Sequence, residues 1–325
     1  MANSEKIDAP LSQMLGIRYP IIVAPMFLVS NVEMLVASIK AGATAAVPAL
    51  NYRTIEELRA AIQQVKKEAG GPFGINLIVN KSNFLYKEQL QLICEEKVDY
   101  IITSLGSPEE TIKEAKKHGI KVFCDVVNLE YAKKVEALGA DALIAVNSEA
   151  GGHAGPYPFE KLVPELKQAC NIPVISAGGV GNGRDMRKVL EAGADGLSMG
   201  SIFIASTEAG VTDEYKQAII DYGKDDIVMT TKLSGTPCTV IKTPYVEKIG
   251  TKQNWLERLL NKNKRLKKWM KALTFMKGMK SLKKAAFGAT YKTLWCAGPS
   301  IEDVKEIKPI KGIIDQLVKE YDEAK

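Results

Sequence analysis

Only two histidines occur in the chain, His118 and His153, and the second sits where chemistry is expected. The stretch Ser148 to Gly155 reads SEAGGHAG and follows an apolar run, Ala142-Leu143-Ile144-Ala145-Val146. That run reads as a buried parallel strand. His153 therefore falls just past a strand's carboxyl end, where α/β barrels and open α/β sheets place ligands. An imidazole there can act as a base or a hydrogen-bond donor near neutral pH. The glycines before it, Gly151 and Gly152, let the backbone lie against a flat ligand. The alternative is a histidine satisfied within the mouth of the fold. His118, beside Gly119 at a helix end, reads as a C-terminal cap.

Two later turns could hold an anion. SAGGVGNGR (176–184) leads into a helix, and SMGSIF (198–203) follows an apolar strand. Glycines such as Gly178 and Gly179 let the backbone approach a phosphate, and N–H groups at a helix start bind anions. Each turn alone could simply be a tight connection; together they point to a phosphate site. GVGNGR is not a dinucleotide fingerprint, because it opens the seventh strand–helix unit and no ribose-binding acid is suitably placed. Earlier, VAPM (23–26) puts Pro25 and Met26 at the first strand's exit, where they could touch a ring system or merely pack. Asn76, within FGINLIV, is a polar residue in an apolar strand. Its amide needs partners, supplied by a ligand heterocycle or by backbone.

Strand and helix patterns alternate with the regularity of repeated βα units. Strands are expected at 21–24, 43–47, 73–79, 98–103, 121–126, 142–146, 173–177 and 196–199. Helices are expected near 31–41, 54–69, 84–96, after Ser107-Pro108, 129–138, 159–169 and 183–192. Eight units in about 200 residues is the count of a TIM (β/α)8 barrel. Ala-Gly-Ala-Thr (41–44), Leu-Gly-Ala-Asp (138–141) and Ala-Gly-Ala-Asp (192–195) echo one another as helix-to-strand turns. A doubly wound sheet is the rival and would need a switch in strand order. Residues 207–222 then read as helical and 230–247 as mixed. Residues 254–287 read as a basic amphipathic helical stretch, followed by WCAGPS (295–300) and a helix near 309–323. The expected organisation is an α/β barrel over 1–230, a basic helical insertion over 231–295, and a segment over 296–325 that packs back on the barrel.

The 325 residues are 46% hydrophobic and 25% charged, which suits a globular protein with a substantial core. Apolar runs are strand-sized and the N-terminus lacks a signal pattern, so a cytoplasmic protein is expected. Five scattered cysteines fit no metal spacing, and no metal site is expected. Residues 248–284 hold thirteen Lys and Arg against one acid, so the net charge of +6 belongs to this segment and the remainder carries −6. Three readings stay open for it: covering helices with a solvated lysine face, a surface for an acidic partner, or a contact with an anionic surface. No nucleic-acid partner is expected, and a homodimer is left open.

Taken together, PIIVAPM, GINLI, EAGGHAG, PVISAGGVGNGR, SMGSIF and WCAGPS resemble the nitronate monooxygenase family, formerly the 2-nitropropane dioxygenases, and its relative the FMN-dependent enoyl-acyl-carrier-protein reductase. The shared stretches run in order through nearly the whole chain. The resemblance implies a TIM barrel that binds FMN without a covalent link. It implies that Ala24 and Met26 line the isoalloxazine ring and that Asn76 hydrogen-bonds it. Asn147 stands where the family usually has Gln or Glu. Gly152, Gly178 and Gly179 would approach the ribityl phosphate, and Ser198, Met199, Gly200 and Ser201 would hold it. His153 matches the family's catalytic histidine. The implied reaction oxidises alkyl nitronates, small-molecule substrates, with O2 to a carbonyl compound and nitrite. The alternative is NAD(P)H-dependent enoyl-thioester reduction on the same barrel. The basic segment departs from the shorter typical pattern.

Overall fold

A computed structural model of the chain describes residues 6–80, 83–232, 237–252 and 294–324. Eight parallel strands close into a barrel: β1 (Ile21–Val23), β2 (Thr44–Pro48), β3 (Gly74–Ile78), β4 (Tyr100–Ser104), β5 (Lys121–Val126), β6 (Ala142–Val146), β8 (Val174–Ala177) and β9 (Gly196–Met199). β9 returns to β1 with Ile22 opposite Ser198, so no edge remains and the doubly wound rival is excluded. A two-residue strand, β7 (Gly152–His153), lies outside the barrel.

The helices between barrel strands are α2 (Val32–Lys40), α3 (Ile55–Ala69), α4 (Tyr86–Glu95), α5 (Glu109–Lys117), α6 (Leu129–Leu138), α7 (Phe159–Ala169) and α8 (Gly183–Glu191). Their starts are set by local chemistry. Asn31, Thr54, Asn128 and Asn182 each accept a hydrogen bond from the amide three residues on. α5 ends at His118, as expected, and the His118 imidazole lies 3.7 Å from the Glu114 carboxylate.

Alternation along the strands builds the interior. Ile22, Ala46, Tyr100, Ile102, Phe123, Ala142, Ile144 and Ile175 pack inside the barrel, while their sequence neighbours face the helices. Tyr100 and Phe123 stack at 4.8 Å, and a Cβ at Gly74 would overlap the Tyr100 ring. A short helix, α1 (Pro10–Leu15), plugs the amino-terminal end of the barrel with Leu11.

Past the barrel the expected pattern needs amendment. The helix expected over 207–222 is confined to α9 (Asp213–Asp221). Before it, Ser206 forms a parallel bridge with Lys308 and its hydroxyl accepts from the Ala209 amide, which holds that stretch non-helical. The mixed region contains β10 (Ile227–Thr230), β11 (Cys238–Ile241) and α10 (Pro244–Ile249). β11 pairs antiparallel with both β10 and β7. The basic stretch expected over 254–287 lies outside the described residues. The final helix, α11 (Ile310–Glu323), packs against α8 and α2. Among the described residues, no helix is long and apolar enough to cross a membrane.

Candidate active site

A cavity of about 620 Å³ opens at the carboxyl ends of the barrel strands. Its size is that of a cofactor or small-ligand site. Eleven of the twelve residues singled out in the sequence line it: Ala24, Met26, Asn76, Gly152, His153, Gly178, Gly179, Ser198, Met199, Gly200 and Ser201.

Asn147 is the exception, and strand alternation explains why. In β6, Ala142, Ile144 and Val146 point inward, so Val146 faces the cavity and Asn147 takes the opposite parity. The Asn147 carboxamide is fully buried and committed to backbone. It donates to Gly178 O at 3.0 Å and accepts from Glu149 N at 2.8 Å. Its carbonyl accepts from the amides of Ala150 and Gly155. Through these bonds Asn147 shapes the SEAGGHAG turn.

His153 is carried by β7, opposite Cys238 of β11. Thr239 secures the same turn by donating to Ala150 O at 2.7 Å. His153 is solvent-exposed at the cavity rim, and the protein packed beside it only partly desolvates the imidazole. That partial desolvation pushes its pKa below the usual 6.5, so the neutral, basic form prevails at pH 7.

The two glycine turns stand together across the mouth. Gly178 and Gly179 adopt φ of 113° and 80°, values that favour glycine. A Cβ at Gly178 would overlap Asn147 and Ala150, and one at Gly179 would overlap the Glu149 carboxylate. The late WCAGPS stretch closes this end. The Gly298 amide donates to Ser201 Oγ at 2.8 Å, Tyr215 of α9 donates to Cys296 O at 2.7 Å, and the Tyr215 and Trp295 rings stack at 5.7 Å. Two non-glycine residues with left-handed φ, Leu28 and Leu105, sit in the turns after β1 and β4. Such strain is typical of functional rims.

On the opposite wall stands a polar chain that the motifs did not flag. Asn76 Nδ2 donates to Ile102 O at 3.2 Å and to Ser104 Oγ at 2.7 Å; Ser104 donates to Asp125 Oδ2 at 2.5 Å. The backbone contact expected for Asn76 is present, and Ser104 supplies a further polar partner. Asp125 could have been found as the one acid inside the apolar run KVFCDVV. Burial pushes its carboxyl up to about 6, against the lowering effect of Ser104. The described cavity lining includes two carboxylates, Asp125 and Glu149, and no Lys or Arg.

The glycine cradle, the flat space beyond it and the polar far wall fit a planar heterocycle with a phosphate tail. Fold and site thus define a (β/α)8-barrel oxidoreductase of the flavin-dependent type. A family model described as nitronate monooxygenase matches residues 81–320. FabK from Thermotoga maritima superposes with a TM-score of 0.86 at 30% identity, covering 98% of this chain and 97% of that one. A Mycobacterium tuberculosis (3aS,4S,5R,7aS)-5-hydroxy-7a-methyl-1-oxo-octahydro-1H-indene-4-carboxyl-CoA dehydrogenase is 32% identical, over 75% of this chain and 69% of its own. A probable nitronate monooxygenase of Staphylococcus aureus is 30% identical, over 74% of this chain and 80% of its own. The chain belongs to the nitronate monooxygenase family and is a flavin-dependent oxidoreductase.

Proposed function

We propose that the protein binds FMN and oxidises a neutral, apolar carbon acid, with His153 as the base that takes the α-proton. The carrying observation is the cavity itself: one imidazole at its mouth whose pKa is pushed below the usual 6.5, apolar walls, and no described cation in the lining. The family match favours alkyl nitronates, the anions of nitroalkanes, as the substrate class, with dioxygen converting them to a carbonyl compound and nitrite. An uncharged nitroalkane suits this lining better than a preformed nitronate, whose charge would be desolvated beside Asp125 and Glu149 without a described counter-ion. His153 gains a positive charge as it takes the proton, and its access to solvent through the cavity mouth lowers the cost of that change.

The mononucleotide is favoured over FAD by the turn Pro299–Asp303. Asp303 Oδ2 accepts from Asn182 Nδ2 at 3.0 Å, and Ser300 O stands 2.9 Å from where a Cβ of Gly181 would be. This turn packs against the Gly181-Asn182 end of the glycine loop, where a mononucleotide's phosphate would end. Ala24 and Met26 would floor the ring, and the turns at Gly178-Gly179 and Ser198–Ser201 would hold the phosphate. The bound flavin would supply the two-electron acceptor.

A second reading has its own support. FabK matches over almost the whole of both chains, and the mycobacterial relative is named for a carboxyl-CoA substrate. That reading is the NAD(P)H-dependent reduction of an enoyl thioester, whose acyl body is apolar like the cavity walls. On that reading the basic segment 248–284 would steer an acidic carrier. Anaerobic mixing separates the two. Bleaching of the flavin by a nitroalkane, with none by NADH or an acyl-CoA, supports the first reading; the converse supports the second. A purified protein that is colourless and takes up no flavin on reconstitution removes both.

A further inference from the structure

We infer that Asp125 is a flavin-facing carboxylate that lowers the electron affinity of the bound cofactor. This rests on the flavin-binding reading above and concerns a residue outside the motifs that led to it. The glycine turns after β8 and β9 lie on one side of the barrel mouth, and β3, β4 and β5 lie on the other. A flavin anchored by its phosphate at the first side extends its ring towards the second. The groups waiting there are Asn76, Ser104 and Asp125, all cavity-lining and linked in sequence by hydrogen bonds of 2.7 and 2.5 Å. The polar half of the isoalloxazine, its pyrimidine ring, matches this polar wall; the dimethylbenzene half matches the apolar remainder.

Electrostatics then assigns the effect. Two-electron reduction places negative charge on the pyrimidine half. A carboxylate at that wall opposes the added charge, and nothing described in the cavity lining offsets it, since Lys and Arg are absent there. The one hydrogen bond described to the Asp125 carboxylate comes from Ser104. The titratable neighbours it acts on, Cys124 and Tyr131, both have raised pKa values and are neutral at pH 8. At that pH the Asp125 carboxyl, with a value of about 6, is ionised.

The test uses the flavin-loaded protein at pH 8 and reads reversible sulfite binding from the loss of visible flavin absorbance. Sulfite addition places negative charge on the flavin and so reports the same electrostatics without any turnover. Asp125→Asn removes the charge with little change of shape. Sulfite is expected to bind Asp125→Asn on the order of tenfold to a hundredfold more tightly, as one unit charge at ring distance implies. Asp125→Glu, which keeps the charge, is expected to stay near wild type. Equal sulfite affinity of wild type and Asp125→Asn, with flavin bound to both, overturns the inference while leaving the flavin reading intact. A wild type that takes up no flavin overturns the reading itself. If Asp125→Asn does not fold, Ser104→Ala serves in the opposite sense. It leaves the charge and removes the described hydroxyl that screens it, so sulfite binding is expected to weaken; an unchanged value counts against the assignment.

Discussion

His153 and Asp125 show how one cavity can set two titrations by the same cause. Burial lowers the base and raises the acid, because both move towards their neutral forms. For His153 the consequence is catalytic. His153→Asn is expected to keep the flavin spectrum and to lose about 10²- to 10⁴-fold in kcat/KM for neutral nitroalkanes. Preformed nitronates, which have no α-proton to give up, are expected to lose much less, and steady-state assays on both forms measure the difference. For Asp125 there is also a stability consequence. Its carboxyl rises from 3.8 in the unfolded chain to about 6 in the fold, so the fold holds the proton more tightly. Stability is therefore lost as pH climbs from about 4 through about 6. The upper bound is about 3 kcal/mol, from roughly two pKa shifts of 1.36 kcal/mol each. Flavin-free Asp125→Asn is expected to be more stable than wild type at pH 8 by roughly 1–3 kcal/mol. That advantage should vanish near pH 4 in urea titrations. Gly179→Ala is a third residue-scale case. The added Cβ meets the Glu149 carboxylate at a φ of 80°, so strain of about 1–3 kcal/mol is expected. Flavin affinity measured by fluorescence titration should fall by about tenfold or more.

At the scale of elements, legibility followed local chemistry. The barrel strands could be read because both faces of a parallel sheet are covered, which makes runs such as Ala142–Val146 continuously apolar. Helix starts could be read from Asn and Thr caps, and helix ends from Gly139 and its equivalents. The facing of Asn147 could not be read, because a single polar residue after a strand gives no sign of it. Only the inward parity of Ile144 and Val146 settles that. Asp125 escaped because no glycine or histidine marks its neighbourhood. The pairing of β7 with β11 was also out of reach, since it joins residues more than eighty positions apart. That pairing carries a prediction. Thr239 fixes the Ala150 carbonyl at 2.7 Å and so supports the turn that presents His153. Thr239→Val keeps the shape and leaves that buried carbonyl short of a donor, at a cost of about 1–3 kcal/mol. Turnover of nitroalkanes should fall while flavin affinity changes little. An unchanged kcat would mean that His153 is held by other contacts.

Across the whole molecule the two ends of the barrel divide the work. The carboxyl end carries the cavity, the strained turns and the polar wall. The amino end is sealed by α1, whose Leu11 is fully buried against Tyr100 and Phe123 inside the barrel. Its amide donates to Asp195 O at 3.0 Å, and the Leu11 side chain fills the space that a Cβ at Gly196 would need. Leu11 is absent from the cavity lining, although it shares an interior cluster with Ile102, Ile144 and Ala177, which do line it. A defect made here should therefore lower stability without changing chemistry, as expected of the closed face of such a barrel. Leu11→Ala removes a buried side chain from a tightly packed interior, and about 2–5 kcal/mol of destabilisation is expected. The urea midpoint should drop accordingly. Flavin affinity, the sulfite constant and kcat/KM at 25 °C should remain near wild type for the folded fraction. A loss of flavin affinity that matches the loss of stability would show instead that the plug and the mouth are coupled through the interior, and the separation of the two ends argued here would fall.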